Sequence, residues 1–331
     1  MQGTILVHDT PLCYLSSTCD RWHNPFMNDK PYNLFSSHLK KRFGGRVHKI
    51  SVDAGFSCPN RGATRNQPGC LFCDPDGSGA VGIERALPVA EQIEAGKEVM
   101  VRKYKAQHFL AYFQPFSNTF APVERLRGLY DEALSVEGVV GLAVGTRPDC
   151  LPRGVLDLLA EYHRRSYFWL ELGLQSIHDG TLTFLRRGHD YATFAKAYRT
   201  AKERGLRVCV HLILGLPGES RQQILASAEE MARLGVDGIK LHLLHVLDGT
   251  SLGDLYRAGQ ITMLEQEEYV ELVVDVVERL SPHTLIHRLT GDGPRDRLLA
   301  PLWSLNKWEV LNAIDDEFRR RGTRQGCRCT S

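Results

Sequence analysis

An α/β fold built on a parallel sheet is what this sequence predicts, and three observations predict it. Short apolar runs alternate with longer stretches of helical periodicity through six units between residues 49 and 246. Runs such as 208–214 are near-continuously apolar, as parallel strands covered on both faces must be. Gly138, Gly205 and Gly235 each stand just before the next strand, where glycine takes the left-handed conformation that closes a helix. With right-handed crossovers, such a chain either curves into a partial barrel or opens as a doubly wound sheet. In both forms the chemistry belongs at the C-terminal ends of the strands.

Taken in order, the elements are these. Residues 1–26 carry no helical or strand period and read as a disordered extension, with Met27 as an alternative start. Leu34, Phe35, His38, Leu39 and Phe43 share one helical face, and Gly44-Gly45 ends that helix. Strands are expected at 49–54, 108–114, 139–145, 167–175, 207–214 and 239–246. Helices are expected at 89–106, 122–134, 153–164, 179–185 and 191–204, and another runs to Leu234. Ser220 and Gln223 form a capping box for that last helix, each side chain satisfying the other's orphan backbone N–H. Beyond residue 250 the pattern changes to a C-terminal extension. It holds a helix at 265–280, one more candidate strand at 284–289, and an amphipathic helix at 306–321 with Trp308, Leu311, Ile314 and Phe318 on one stripe. Arg319, Arg320, Arg321, Arg324 and Arg328 make a basic tail, read first as a solvated, frayed end and second as an RNA contact. The domain plan is therefore 1–26, a core at 27–250, and an extension at 251–331 that packs on the core.

Three cysteines sit in the loop after the first strand, Cys58, Cys70 and Cys73, with eleven residues between the first two and two between the last two. A Cys-x-x-Cys turn aims two sulfurs at one point, and a third thiolate from a flexible loop completes a tripod. Soft thiolates of this kind select zinc or iron–sulfur clusters. No fourth ligand of suitable spacing follows, and a structural zinc site would need one. A zinc knuckle borrowing a distant ligand, and a redox Cys-x-x-Cys beside an ordinary buried thiol, remain open alternatives on the residues alone. A disulfide framework is disfavoured, because the nine cysteines are an odd count in a chain of 331 residues that can bury a core without staples. Cys150 and Cys209 read as small core residues, and Cys327 and Cys329 as incidental thiols of the tail.

Charged residues at 24% and hydrophobic residues at 43% are ordinary globular values, and a formal net charge of +2 selects no partner. No run approaches the roughly eighteen apolar residues of a membrane span, and the first residues lack the pattern of a secretory signal. A reducing, cytoplasmic location without a membrane is the expectation.

The six units and the tripod resemble the radical S-adenosylmethionine superfamily, more closely its Elongator-catalytic-subunit-like group and the YhcC-type branch within it. The residues that carry the resemblance are Asp53-Ala-Gly-Phe-Ser-Cys58-Pro-Asn-Arg, Gly69-Cys70-Leu-Phe-Cys73, Gly145-Thr-Arg-Pro-Asp-Cys150 and Glu171-Leu-Gly-Leu-Gln175-Ser. To these belong Leu214-Gly-Leu-Pro-Gly-Glu219, Lys240-Leu-His-Leu-Leu-His245-Val, Ile286-His-Arg-Leu-Thr-Gly291-Asp and Ala300-Pro-Leu-Trp303. The common superfamily spacing puts three residues between the first two cysteines; the longer gap here fits the branch. The resemblance implies a partial (β/α)6 TIM-type barrel with parallel strands and a C-terminal helical extension. It implies a 4Fe-4S cluster on Cys58, Cys70 and Cys73, with S-adenosyl-L-methionine chelating the open iron and cleaved to a 5′-deoxyadenosyl radical. It also implies the cofactor contacts. Phe72, Ile213 and Val246 would pack on adenine, Gln114 and Ser117 would approach the methionyl group, and Gln175 and Arg187 would take the ribose hydroxyls and the carboxylate. Gln175 and Arg187 match in spacing a polar pair of the oxygen-independent coproporphyrinogen dehydrogenase branch. A cellular electron donor of flavodoxin or ferredoxin type is implied, and RNA or protein stands as the candidate substrate. A metal-binding scaffold without turnover, and an oxidative decarboxylase of the heme-pathway kind, are the competing functions.

Overall fold

The computed structural model describes residues 30–62, 67, 69–74, 77, 86–291 and 293–330. The expected extension at 1–26 and the alternative start at Met27 lie outside the described residues. In order the elements are α1 (Phe35–Phe43), β1 (Val47–Val52), α2 (Val89–Tyr104), β2 (His108–Phe113), α3 (Val123–Ser135), β3 (Val139–Thr146) and α4 (Arg153–Arg165). Then come β4 (Tyr167–Gln175), α5 (Asp179–Phe184), α6 (Tyr191–Glu203), β5 (Val208–Leu214), α7 (Arg221–Leu234) and β6 (Gly238–Leu243). The last are β7 (Val246–Leu247), α8 (Ser251–Arg257), α9 (Gln266–Arg279), β8 (Leu285–Arg288), β9 (Leu298–Ala300) and α10 (Lys307–Arg321).

The main sheet has seven strands in the order β1-β2-β3-β4-β5-β6-β8, every neighbouring pair parallel. It is a curled partial barrel of the TIM type, with one strand more than the six expected; β8 is the candidate strand at 284–289. The expected sixth strand is shorter than predicted. It ends at Leu243, and Val246–Leu247 turns away to pair antiparallel with β9. Ser220 and Gln223 form the predicted capping box of α7, and Gly235 closes that helix at φ +64°.

Period-two alternation sorts each strand into an outer and an inner face. On β4, Phe168, Leu170, Leu172 and Leu174 join the large core beneath the helices, whereas Tyr167 and Trp169 face the barrel interior with Cys209 and Leu110. Phe35 and Leu39 of α1 pack among the first residues of the strands, Val47, Tyr167 and Leu285, so α1 plugs the N-terminal end of the barrel. Above that plug the interior becomes charged. Glu171, with no exposed side-chain surface, lies between Lys49, Lys240 and His211. Higher still, the C-terminal ends of the strands open into a cavity.

The tail is ordered. Gln325 is buried, accepts from the Asn33 N–H at 2.8 Å and donates to the Ser281 and Thr284 carbonyls at 2.7 and 2.9 Å. Four of its five arginines are paired: Arg319 with Asp316, Arg320 and Arg321 with Glu317, and Arg328 with Glu278 at 2.9 Å. The frayed end expected from the sequence is thus a docked strap, and acids pair with most of its basic run. Trp308 is 75% exposed, so the stripe proposed for α10 is not all core; Val310, Ile314 and Phe318 are the residues that bury.

Candidate active site at the mouth of the barrel

The cavity at the C-terminal ends of the strands has a volume of about 540 Å³. Cys58, Cys70 and Cys73 line it, and so do Phe72, Gln114, Ser117, Gln175, Arg187 and Ile213. Val246 does not. It is buried in β7 among Leu71, Leu185 and Leu252, because the chain turns at Leu244 and His245 before β7 begins, and Leu244 and Leu247 form the cavity wall there. Cys150 also lies elsewhere: it is buried in the turn after β3, its sulfur 3.9 Å from Asp149 Oδ1. Cys209 is fully buried on the inner face of β5, as its reading as a core thiol requires.

The cysteine loop is held by polar contacts made around the sulfurs. A short 3-10 turn, Pro59–Arg61, follows Cys58. The Arg61 guanidinium donates to the Cys73 and Asp74 carbonyls, both at 2.7 Å, which ties the two halves of the loop together. Asn60 Nδ2 donates to the Arg186 and Arg187 carbonyls at 2.7 and 3.1 Å and lies 3.3 Å from Cys70 Sγ. Gly188 is at φ +69°, and a Cβ there would stand 2.5 Å from Asn60 Oδ1, so glycine is what lets this turn close on the loop.

Three arginines surround the three sulfurs. Arg187 Nη1 donates to Cys70 Sγ at 3.3 Å, its Nη2 reaches the Gly173 carbonyl, and its Cζ lies 5.9 Å from the Phe72 ring centre. Its Nε is buried and unpartnered, which leaves a donor without an acceptor at the cavity. Arg147 is held by a two-toothed pair with Asp149 at 2.9 and 2.7 Å, and its Nη1 stands 3.9 Å from Cys58 Sγ. Burial, then the neighbouring Cys70, pushes the Cys73 thiol up to about 11, with Arg61 pulling the other way. Thiols so shielded take metal by losing their protons to it, and N–H donors aimed at sulfur suit the thiolate that results.

Backbone strain gathers here as well. Among the described residues four that are not glycine have positive φ; Phe116 and Gln175 line the cavity and Arg186 precedes Arg187. Gln175 stands at a register shift in the pairing of β4 with β5, which re-aims the end of β4. Sequence reasoning assigned no role to Asn60, Arg61 or Arg147, although each lies inside a motif it singled out. It also missed the interior charges Lys49, Glu171, His211 and Lys240. The available signal was polar residues at every second position of otherwise apolar strands.

Comparison with known proteins agrees with this geometry. The family model described as the radical SAM superfamily matches residues 58–248, and that of the Radical_SAM C-terminal domain matches residues 236–320. The chain is 43% identical over 307 residues to YtqA of Bacillus subtilis (strain 168), covering 92% of this chain and 95% of that protein. It is 42% identical over 294 residues to YhcC of Escherichia coli (strain K12), covering 88% and 94%. Among solved structures, an Elp3 from the archaeon Methanocaldococcus infernus with its N-terminus deleted superposes at a TM-score of 0.63 with 18% identity, over 84% of this chain and 64% of that one. That likeness is one of fold. The match from Cys58 through the cysteine loop and strands β2 to β7 makes this chain a member of the radical S-adenosylmethionine superfamily.

Proposed function

We propose that Cys58, Cys70 and Cys73 are the ligands of the 4Fe-4S cluster that the superfamily uses, and that the rest of the cavity wall holds S-adenosylmethionine and the substrate. The observation that carries this is the convergence of three cysteine side chains on one cavity with N–H donors of Arg187 and Asn60 on the Cys70 sulfur. When bound, the cluster supplies the electron that cleaves S-adenosylmethionine reductively, giving methionine and a 5′-deoxyadenosyl radical for hydrogen abstraction.

The chain's own residues bind, orient and shield. Arg187 Nε, which has no partner, suits the carboxylate of the cofactor, and Gln175 beside it suits the ribose hydroxyls. Gly173 leaves room for both, since a Cβ there would stand 3.1 Å from Gln175 Nε2 and 3.3 Å from Arg187 Nη2. Phe72, Ile213, Leu244 and Leu247 supply the apolar wall for adenine, with Leu244 and Leu247 in the place expected of Val246. Gln114 and Ser117 stand at the end of β2; the Ser117 N–H donates to the Ser57 carbonyl at 3.1 Å, which ties that loop to the cysteine loop. The reductant is proposed to be a flavodoxin or ferredoxin. RNA or protein stands as the proposed substrate class; the tail adds no argument for RNA, because Arg319, Arg320, Arg321 and Arg328 are paired with acids.

Anaerobic reconstitution tests the reading. It should give about four irons per chain, the content of one cubane cluster. With dithionite and S-adenosylmethionine the protein should form 5′-deoxyadenosine slowly. Cys58→Ala, Cys70→Ala and Cys73→Ala should each abolish that product, whereas Cys150→Ala and Cys209→Ala should retain it. One zinc and no iron, or an equal need for Cys150, would overturn the proposal.

A further inference from the structure

Below the cysteines the cavity continues toward the middle of the barrel, where its wall includes Tyr112, Glu171, His211, His242 and Arg288. Arg288 is the unusual member. Alternation along β8 would send it to the outer face, because Ile286 lies in the outer core and His287 packs inward, stacked 3.8 Å from Phe35. The register between β6 and β8 shifts at this point: Ile239 pairs with Ile286 and Lys240 with Arg288, so His287 is the extra residue of a bulge. A bulge re-aims the side chain that follows it. Here it turns two successive residues, His287 and Arg288, toward the interior.

Among the described residues the charge balance there is positive. Glu171 is the carboxylate they place in the lower part of the cavity, and Lys49, Lys240 and His211 already hold it. Arg288 makes no ion pair and no hydrogen bond among the described residues. Beside it His242 Nε2 is closed off from solvent and has no partner either. An arginine left uncompensated in a part-enclosed wall costs free energy unless something neutralises it. Two unsatisfied groups facing one cavity, one of them a guanidinium, make a receptor for an oxyanion.

We infer that Arg288, with His242, binds an anionic group of the substrate, a carboxylate or a phosphate, in the lower part of the cavity. This subsite is separate from Arg187, which stands at the cysteine end beside Cys70. The inference rests on the reading of the upper cavity as the cluster and S-adenosylmethionine site, which leaves the lower part for substrate. It makes the substrate an acid or a phosphate ester, anchored so that a fixed carbon is presented upward. The bulge then has a purpose: it turns toward the cavity a cation that regular alternation would have sent to the outer face.

The test uses the reconstituted full-length protein saturated with S-adenosylmethionine, at an ionic strength held constant with sodium chloride. Inorganic phosphate and succinate are titrated separately, by calorimetry and by the shift in unfolding temperature. At least one of them should bind the wild type in a one-to-one ratio and raise the unfolding temperature, and the tighter of the two names the group. Arg288→Gln should weaken that binding at least about tenfold, the effect of losing ~1.4 kcal/mol. Arg288→Lys, which keeps the charge and so guards against a misfolded Gln variant, should bind more weakly than wild type because a lysine has no fork of donors. No binding of either anion by wild type, or binding that neither variant weakens, would overturn the inference. Iron content and 5′-deoxyadenosine are measured on the same preparation. A protein without iron that still binds the anion through Arg288 would defeat the radical reading and leave this one standing. One that forms 5′-deoxyadenosine yet ignores both anions would do the reverse.

Discussion

On the proposed reading, Arg187 couples the cysteine sulfurs to the cofactor pocket. One nitrogen serves Cys70, a second serves the Gly173 carbonyl, and the third has no partner. Its removal should separate two properties that fail together in the cysteine variants. Arg187→Ala should keep its iron and lose affinity for S-adenosylmethionine by roughly tenfold to a hundredfold, the range for a charge-assisted hydrogen bond worth about 1.5–3 kcal/mol. Equilibrium dialysis against labelled S-adenosylmethionine, with iron counted on the same sample, reads both; unchanged affinity would remove Arg187 from the pocket. The cysteines were legible in the sequence because their spacing is local. Asn60 was not, because its partners Arg186 and Arg187 lie 126 and 127 residues away and only the fold brings the two turns together. Val246 marks the converse error. Counting along an apparent strand put it at the rim, whereas the strand ends at Leu243 and the rim passes to Leu244 and Leu247.

At the scale of elements, strands and helices were legible in order because each βα unit announces itself by a change of period, from two to 3.6. The inner face of the sheet was less so. Cys209, His211 and Ile213 alternate with Val208, Val210 and Leu212, and an apolar run containing one histidine looks like a buried strand rather than the wall of a cavity. The bulge at His287 and the pairing of β7 with β9 had no local signal, since both depend on strands distant in sequence. The tail misled for a different reason: five arginines look like a free basic run until the acidic partners that four of them find on α9 and α10 are counted. Docking of the tail gives a prediction of its own. Gln325→Ala would leave the Asn33 N–H and the carbonyls of Ser281 and Thr284 without their present partner. With ~1–3 kcal/mol for a buried group left unsatisfied, and partial rescue by water, we expect a loss of about 2–3 kcal/mol. Urea unfolding of the cluster-free chain measures it. A change below about 0.5 kcal/mol, the level of an ordinary surface substitution, would mean the strap does not contribute to the fold.

For the whole molecule, the net charge of +2 conceals an interior cluster of charge, Glu171 among Lys49, Lys240 and His211. Burial holds the His211 and His287 rings down, to about 4 and about 3, and holds His242 well below the usual histidine value; the nearby lysine charges add to the effect, while Glu171 opposes it. The folded chain therefore keeps these rings neutral where the unfolded chain, titrating near 6.5, takes protons. Stability must fall as pH falls from about 6.5 toward 4, because the unfolded state binds the extra protons. Below about 4.5 Glu171 joins them: burial alone would raise its pKa, but Lys240 and Lys49 hold the carboxyl well below its ordinary value of 4.5. The loss then continues into stronger acid. One ring can be isolated from the rest. His287 lies stacked on Phe35 and edge-on to Trp169, both its nitrogens lack hydrogen-bond partners, and the nearest Glu171 oxygen stands 3.8 Å away. An aromatic ring without nitrogens fits the same slot. His287→Phe should keep or raise stability at pH 7 and should flatten the acid limb between pH 6.5 and 4 by up to one proton, at most about 1.4 kcal/mol per pH unit. The measurement is the denaturant midpoint of cluster-free wild type and variant at half-unit steps of pH. Parallel acid limbs would show that His287 titrates alike in both states, and the neutral, dry interior drawn for the floor of this barrel would have to be given up.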